Sequence, residues 1–139
     1  MQPRMFVLTV CAALPMVLAP ARGDVAKAPA KLEHPGEVAL IEEDQGYAYR
    51  HFPSGLHLYY SDRDPPGTSN CQKECAFAWP PLIAREGAKP MGDWTLVPRD
   101  NGNKQWAYKG HPIYLMFHDS TTEPQGDKAE NGTWHILEP

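Results

Sequence analysis

Residues 69–82 read S-N-C-Q-K-E-C-A-F-A-W-P-P-L, and this stretch organises the rest of the chain. Ser69 or Asn70 can cap a helix, and good helix formers follow as far as Ala78. The sequence Trp79-Pro80-Pro81 ends that run, because proline lacks an amide hydrogen and restricts the residue before it. The stretch therefore predicts a helix of about two turns over residues 71–78.

The first residues of the chain have the pattern of a secretory signal peptide. Arg4 precedes an apolar run over residues 5–18, and Ala19-Pro20-Ala21 offers a small-residue cleavage site. The run is short for a bilayer span of about 20 residues. We therefore expect a signal peptide over residues 1–21, no integral membrane span after its cleavage, and a periplasmic or secreted location. Cys11 is not expected to be lipidated, since Val10 precedes it where a lipobox needs a small residue.

The two remaining cysteines, Cys71 and Cys75, are expected to form a disulfide. A helix would place them on one face with Cα atoms about 6 Å apart, within disulfide range. An even number of cysteines in an oxidising compartment also favours a bridge. The C-x3-C spacing differs from the C-x-x-C of dithiol oxidoreductases, and no histidine follows as in haem attachment. Redox activity or metal binding by the pair are the alternatives.

Length and charge limit the class of protein. The 139 residues, 42% hydrophobic and 22% charged, are enough for one domain with a modest core. Cleavage after Ala21 removes Arg4 and leaves 12 basic against 17 acidic residues, a net charge of −5. This acidic balance excludes nucleic acid as the expected partner.

The pattern after the signal peptide predicts an all-β fold with one short α-helix. Residues 22–37 are small, charged and proline-containing, and are expected to form a flexible leader. Residues 38–139 are expected to form a single domain. Alternating or apolar runs predict strands over residues 38–41, 47–52, 56–60, 94–97, 105–108, 113–118 and 133–137. The turn at Pro53-Ser54-Gly55 predicts a hairpin over 47–60, and the one at Asn101-Gly102 predicts another over 94–108.

The chain contains an internal repeat with a fixed offset of 55 residues. Gaps in the match fall in turns, where length changes at little cost. We therefore predict two repeats of about 45 residues, 38–82 and 94–137, which bury a shared aromatic face and form one domain. Chance matching between aromatic strands is the alternative. The pairs that define the repeat motif are Tyr59 with Tyr114, Asp64 with Asp119, and Trp79 with Trp134, flanked by Leu58 with Ile113 and Leu82 with Leu137.

These motifs resemble a bacterial secreted-repeat family of unknown function, the predicted lipoproteins with a Yx(FWY)xxD motif. The resemblance covers most of the chain from about Tyr47 to Leu137, and it rests on the repeated Tyr and Asp positions and on the C-A-F-A-W-P-P-L segment. The inner aromatic position of the motif is Ser61 in the first copy and Met116 in the second. The resemblance implies an extracytoplasmic, lipoprotein-like protein and implies little about activity.

The sequence carries no recognised catalytic motif. No nucleophile elbow, phosphate loop, dinucleotide fingerprint or zinc-binding histidine pair is present, so we expect a protein that is not an enzyme. The best candidate soft-metal ligands are Met116 and His118, expected on one face of a strand, with His111 in the preceding turn. These could bind copper or haem in an oxidising compartment. A packed methionine and a surface histidine are the other interpretation.

Surplus aromatic residues favour a binding role. The chain holds four tryptophans, six tyrosines and four phenylalanines, and any ring left at the surface would suit an envelope protein partner or a glycan. The sequence thus predicts an exported, non-catalytic binding or accessory protein of the cell envelope. The alternative is a periplasmic electron-transfer or metal-handling accessory protein that uses Met116, His118 and His111.

Overall fold

The computed structural model describes residues 32–44 and 46–139. The expected signal peptide, Cys11 and the first part of the expected leader lie outside the described residues. Within the described part of the chain, no helix is both long enough and apolar enough to span a bilayer.

The fold consists mainly of short antiparallel strands, as the sequence predicts. Among the described residues there are two helical elements of four residues each, where the sequence predicts one longer helix. In the second of them, Glu130 and Asn131 have left-handed backbone conformations. The elements are β1 Val38–Glu43, β2 Gly46–His51, β3 Tyr59–Ser61, α1 Cys75–Ala78, β4 Trp94–Pro98, β5 Lys104–Tyr108, β6 His111–Pro112, α2 Ala129–Gly132 and β7 Trp134–Ile136.

Within residues 32–44 and 46–139, the strands form three small sheets, ordered β1-β2, β3-β7 and β4-β5-β6. The predicted hairpin over residues 94–108 is confirmed, with Trp94 opposite Tyr108 and Leu96 opposite Trp106. Its turn has Gly102 at a φ of 87°, a conformation that glycine adopts without steric cost. The turn therefore sets the register that puts both tryptophans in the core.

The predicted hairpin over residues 47–60 is wrong in its second half. The turn forms, since the His51 amide donates to Leu56 O at 2.8 Å, but β2 pairs mainly with β1. Tyr59 in β3 pairs instead with Ile136 in β7 and with Tyr114. The pairing partners of β3 lie in the second repeat, and this long-range pairing buries the Tyr59 ring completely.

The predicted helix over residues 71–78 begins only at Cys75. Lys73 has a φ of 49°, in the left-handed region, so the chain cannot be helical through it. The carbonyl of Cys71 accepts a hydrogen bond from Arg99 Nη2 at 2.8 Å, and the Asn70 amide donates to Asp64 Oδ1 at 2.7 Å. Arg99 thus takes the Cys71 carbonyl, which the first turn of the predicted helix would have used as an acceptor.

The predicted strand over residues 113–118 is wrong. Regular pairing covers His111–Pro112, in the expected turn, and within 113–118 Tyr114 forms isolated bridges to Tyr59 and Pro81. Residues 117 and 118 lie in a turn, where His118 has a φ of 65°. Met116 and His118 therefore do not share one face of a strand.

In the part of the chain that the structure describes, two clusters of buried side chains form the core. The larger one is built around Tyr49, Trp94, Trp106 and Tyr108. Leu32, in the expected leader, packs against it, and Glu37 Oε2 accepts a hydrogen bond from Trp106 Nε1 at 3.2 Å. Residues 32–37 thus contribute to the fold. The smaller cluster consists of Tyr59, Cys71, Trp79, Tyr114 and Trp134.

Candidate functional site

The smaller cluster brings the aromatic residues of both repeat copies together. Trp79 and Trp134 stack with ring centroids 3.7 Å apart and planes within 9°. Tyr59 meets Trp79 edge-on at 5.6 Å, and Tyr114 meets Trp134 edge-on at 5.1 Å. Each tyrosine therefore packs on the tryptophan of its own repeat, and the two tryptophans join the repeats.

The tyrosine hydroxyls cross between the repeats. Tyr59 Oη donates to Asp119 Oδ2 at 2.9 Å, and Tyr114 Oη donates to Asp64 Oδ2 at 2.5 Å. The backbones of the two tyrosines also exchange hydrogen bonds, both at 2.9 Å. Each repeat thus supplies the acceptor for the other repeat's tyrosine, which makes the contact reciprocal.

The second oxygen of each aspartate binds the loop that follows it. Asp64 Oδ1 accepts from the Asn70 amide at 2.7 Å, and Asp119 Oδ1 accepts from the Gln125 amide at 2.9 Å. Both interactions span six residues. In both repeats the carboxylate therefore links its own loop to the opposite tyrosine.

Backbone hydrogen bonds between the repeats follow the same offset. The Leu82 amide donates to Ile113 O at 2.8 Å, and the Leu137 amide donates to Leu58 O at 2.7 Å. In a second pair, the amide of residue 62 donates to the carbonyl of residue 133 at 3.0 Å, and the amide of residue 117 donates to the carbonyl of residue 78 at 2.9 Å. Equivalent positions thus have equivalent partners, so the smaller cluster has an approximate twofold relation.

The two halves of the cluster differ in the polar groups that surround it. Beside the first aspartate, the buried Arg99 donates from Nη1 to Gln105 Oε1 at 2.7 Å and to Ser69 Oγ at 3.1 Å. Ser69 Oγ in turn lies 2.6 Å from Tyr114 Oη. Arg99 and Gln105 were not among the site residues expected from sequence, and an arginine after a strand in a polar turn gives no signal of burial.

His57 has the comparable place beside the second aspartate. Its Nδ1 lies 2.9 Å from Ser120 O and 3.6 Å from Asp119 Oδ2, and the residue is buried. Burial lowers the pKa of His57 below its ordinary value, and the positive charge of Arg50 lowers it further. The neutral ring, with its proton on Nδ1, therefore fits the hydrogen bond to Ser120 O.

The two tyrosines are held in their protonated form. Burial raises the pKa of both Tyr59 and Tyr114, and the hydrogen bond to an aspartate raises it further. A neutral phenol donates to a carboxylate, and the carboxylate disfavours loss of that proton. The arrangement is chemically suited to holding two repeats together, with the aspartate oxygens already occupied.

Cys71 and Cys75 are joined by a disulfide, with Cα atoms 5.1 Å apart. Cys71 is buried in the smaller cluster, and Cys75 lies at its edge. The bridge fixes the segment that leads into Trp79.

The three candidate metal ligands have different neighbours in the structure. Met116 packs against the smaller cluster, the His118 ring contacts Phe117 at 4.0 Å, and the His111 ring packs on Tyr60 at 4.7 Å. Over residues 32–44 and 46–139, no three side chains of His, Cys, Asp or Glu are grouped as a metal site would need.

Two phenylalanines project from the surface next to the disulfide. Phe77 in α1 is 79% exposed and Phe117 is 59% exposed. The Phe117 amide donates to Ala78 O at 2.9 Å, so the two residues lie on adjoining segments. We call Phe77, Phe117 and the adjacent His118 the aromatic patch.

Comparison with known proteins supports the resemblance stated from the sequence. Residues 95–138 match the model of a family described as a secreted repeat of unknown function. The matched region includes Tyr114, Asp119 and Trp134, the second copy of the repeat motif. No curated protein and no solved structure shows significant similarity to the chain.

Proposed function

We propose that this protein is an exported, non-catalytic binding or accessory module of the bacterial cell envelope that contacts a protein partner through the aromatic patch. The main observation in support is that Phe77 is 79% exposed and lies on a segment that a disulfide constrains. Burying an apolar ring is favourable, and a contiguous exposed apolar surface, unlike a single exposed ring such as Phe52, marks an interaction site. The secreted-repeat match supports export.

The hydrogen bonds of the repeat-motif carboxylates support a non-catalytic role. Both oxygens of Asp64 and both oxygens of Asp119 accept hydrogen bonds from the protein itself. A general acid or base needs a free position facing its substrate. These aspartates instead act as connectors between the two repeats.

The chemistry of the patch favours a protein over a glycan. Phenylalanine lacks a polar group, and aromatic anchors of this type fill apolar pockets at the centre of protein interfaces. Tyrosine and tryptophan combine an apolar face with a hydrogen-bonding group, but Tyr59, Tyr114, Trp79 and Trp134 are buried. A partner with an apolar pocket is therefore the occupant that the patch fits.

The experiment is site-specific photo-crosslinking in the native cell envelope. A photoreactive phenylalanine at position 77 should give a discrete adduct, whereas the same group at position 52 should not. Phe52 is a matched control, because it is 58% exposed but lies in the turn after β2. The F77S/F117S double variant should lose binding to the crosslinked protein, and F52S should retain it.

Three outcomes would contradict the proposal. Adducts of equal yield at positions 77 and 52 would show random collision rather than a defined surface. Binding of a glycan that F77S/F117S abolishes would replace the protein partner with a carbohydrate. Turnover of a substrate by the purified protein would remove the non-catalytic assignment.

Copper or haem handling by Met116, His118 and His111 stays a hypothesis from the sequence. Their side chains have different neighbours, so no observation in the structure favours it. Titration with copper(I), followed by thermal shift, tests it directly.

A further inference from the structure

The two ends of the Cys71–Cys75 disulfide differ in their access to solvent. Cys71 is 4% exposed, whereas Cys75 is partly exposed. Glu74 and Phe77, on either side of Cys75, are both exposed. Exchange of a disulfide begins when a thiolate attacks one of its sulfurs, so it requires access to that sulfur. The Cys75 end of the bridge is the one that offers it.

A buried guanidinium without a counter-ion contacts the other end. Arg99 is 7% exposed, and its Nη2 donates to the carbonyl of Cys71 at 2.8 Å. Its Nη1 donates to two neutral acceptors, Gln105 Oε1 at 2.7 Å and Ser69 Oγ at 3.1 Å. Within residues 32–44 and 46–139, Arg99 forms no salt bridge with a carboxylate. A buried charge of this kind is costly unless an anion lies beside it.

The carboxylate that the hydrogen bonds link to Arg99 already has other partners. Tyr114 Oη donates to Asp64 Oδ2 at 2.5 Å and lies 2.6 Å from Ser69 Oγ. The hydroxyls of Tyr114 and Ser69 therefore stand between Asp64 and the guanidinium. Arg99 has no direct contact with an anion while the disulfide is intact.

Reduction of the bridge would supply such an anion. A thiolate on Cys71 belongs to the residue that Arg99 contacts, and a cationic neighbour stabilises a thiolate. Cys71 Sγ also lies 4.0 Å from Trp79 O, but that carbonyl has only a partial negative charge, against the full positive charge of the guanidinium. The surroundings of Cys71 thus favour its reduced, ionised form.

The second repeat shows that the fold holds an equivalent segment without a disulfide. At the offset of 55 residues, Glu130 takes the position of Cys75. It accepts hydrogen bonds from Trp79 Nε1 at 3.3 Å and from Arg63 Nη1 at 2.7 Å. The bridge of the first repeat closes a loop with a sequence separation of only 4, and short loops add little to stability. We therefore expect the domain to stay folded when the bridge is reduced.

We infer that the Cys71–Cys75 disulfide is a reversible redox site that exchanges with a protein dithiol, with Cys75 as the attacked sulfur and Arg99 as the counter-ion of the Cys71 thiolate. A stabilised thiolate leaves faster, and the same stabilisation favours the reduced state at equilibrium. The exchange is stoichiometric, so the protein is a reactant and not a catalyst. This site goes beyond the proposed binding role.

The exchange takes two steps. A thiolate of the dithiol attacks Cys75 Sγ, the bond between the two cysteine sulfurs breaks, and Cys71 leaves as a thiolate. The second thiolate of the dithiol then attacks its own sulfur in the mixed disulfide, and Cys75 leaves as a thiolate that takes up a proton. Two electrons pass from the dithiol to the bridge, and the dithiol becomes a disulfide.

The equilibrium is tested in a glutathione buffer, with the thiols trapped by alkylation and counted by mass spectrometry. In about 10 mM reduced and about 0.1 mM oxidised glutathione, structural disulfides stay oxidised. At least half of the Cys71–Cys75 bridge should be reduced in this mixture. Reduced protein should also show the ultraviolet absorbance of a thiolate near neutral pH, and urea should abolish it.

Variants at position 99 test the counter-ion. Arg99→Gln should need an about tenfold higher ratio of squared reduced to oxidised glutathione for half reduction, and should lose the thiolate absorbance. Arg99→Lys keeps the charge and should stay close to the native ratio. If Arg99→Gln does not fold, Arg99→Lys and the absorbance of the native protein still decide the matter.

A thioredoxin that lacks its second cysteine tests the dithiol and the attacked sulfur. Such a protein should accumulate as a mixed disulfide on Cys75, located by peptide mapping. The inference is wrong if the bridge stays oxidised in the glutathione mixture, if the native protein shows no thiolate absorbance, or if the adduct is absent or forms on Cys71. None of these measurements depends on crosslinking at position 77, so this inference and the proposed function fail separately.

Discussion

Tyr59 and Tyr114 are equivalent residues of the two repeats, and each contacts the opposite repeat directly. Each donates its hydroxyl proton to the aspartate of the opposite repeat, at 2.9 Å and 2.5 Å. Hydrogen bonds to charged groups contribute more to stability than neutral ones, and a buried acceptor left unpaired is costly. Neither tyrosine can therefore be replaced without loss to the other repeat.

Removing either hydroxyl should destabilise the fold by a similar amount. Tyr59→Phe and Tyr114→Phe are each expected to lower the free energy of unfolding by about 1.5–3 kcal/mol. Tyr47→Phe, at a half-buried tyrosine outside the cluster, is the control and should change little. Urea denaturation measures all three. A loss below about 0.5 kcal/mol at position 59 or 114 would show that the hydrogen bond does not matter.

His57 makes stability depend on pH. Its pKa in the folded protein lies below the ordinary value of 6.5, mainly through burial. The unfolded chain therefore takes up a proton first as pH falls, so stability is full above pH 6.5 and decreases below it. The burial of His51, which also lowers its pKa, adds to the same trend.

Thermal unfolding between pH 7 and pH 5 tests this dependence. The midpoint of the native protein should fall over this range, and that of His57→Gln should fall less, since glutamine stays neutral and can still donate to Ser120 O. His118→Gln, at an exposed position, should behave like the native protein. An equal decrease in all three proteins would assign the effect to other groups.

Among the elements, the segments before the two stacked tryptophans differ: the one before Trp79 contains α1 and a disulfide, and the one before Trp134 contains α2 and no cysteine. There Gly126 stands at the position of Cys71, and a Cβ on it would lie 2.8 Å from Trp79 Cη2 and 2.9 Å from Tyr59 Cε1. The two repeats thus contact the same pair of stacked tryptophans through different groups. The first repeat contributes a disulfide, and the second contributes a glycine.

The disulfide is expected to contribute less than the rings it supports. It closes a loop with a sequence separation of only 4, so Cys71→Ala/Cys75→Ala should cost about 2 kcal/mol. Denaturation of this variant beside Trp79→Ala gives the comparison. A disulfide variant less stable than Trp79→Ala would mean that the bridge, and not the stacked rings, holds this region.

The sequence predicts correctly those elements that are determined by residues close together in the chain. The hairpin around Asn101-Gly102 could be predicted because the turn sequence and flanking alternation define its register. The helix start at Cys75 could not, since Arg99 takes the Cys71 carbonyl from a distance of 28 residues. The partner of β3 was missed for the same reason, because Tyr59 pairs with residues of the second repeat.

The candidate site was predictable to a similar extent. The offset of 55 residues identified the aromatic and acidic positions, but the chain alone does not show that each tyrosine donates to the opposite aspartate. The burial of Arg99 and Gln105 depends on long-range packing. Exposure of Phe77 could not be foreseen either, since a helix of only four residues gives no apolar periodicity to read.

On the scale of the whole molecule, the reciprocal contacts join the repeats into one unit. The Trp79–Trp134 stack, the crossed tyrosine hydroxyls and the paired backbone hydrogen bonds all connect residues from different repeats. Neither half can complete the smaller cluster alone. We therefore expect the two repeats to unfold together.

The most direct test is urea unfolding followed by NMR at backbone amides of both repeats, in the native protein and in Trp79→Ala. The account predicts one midpoint for all amides over residues 38–137. It also predicts that Trp79→Ala shifts the first and second repeats equally, by about 3–5 kcal/mol. Separate midpoints for the two repeats, or a shift confined to residues 38–82, would contradict it.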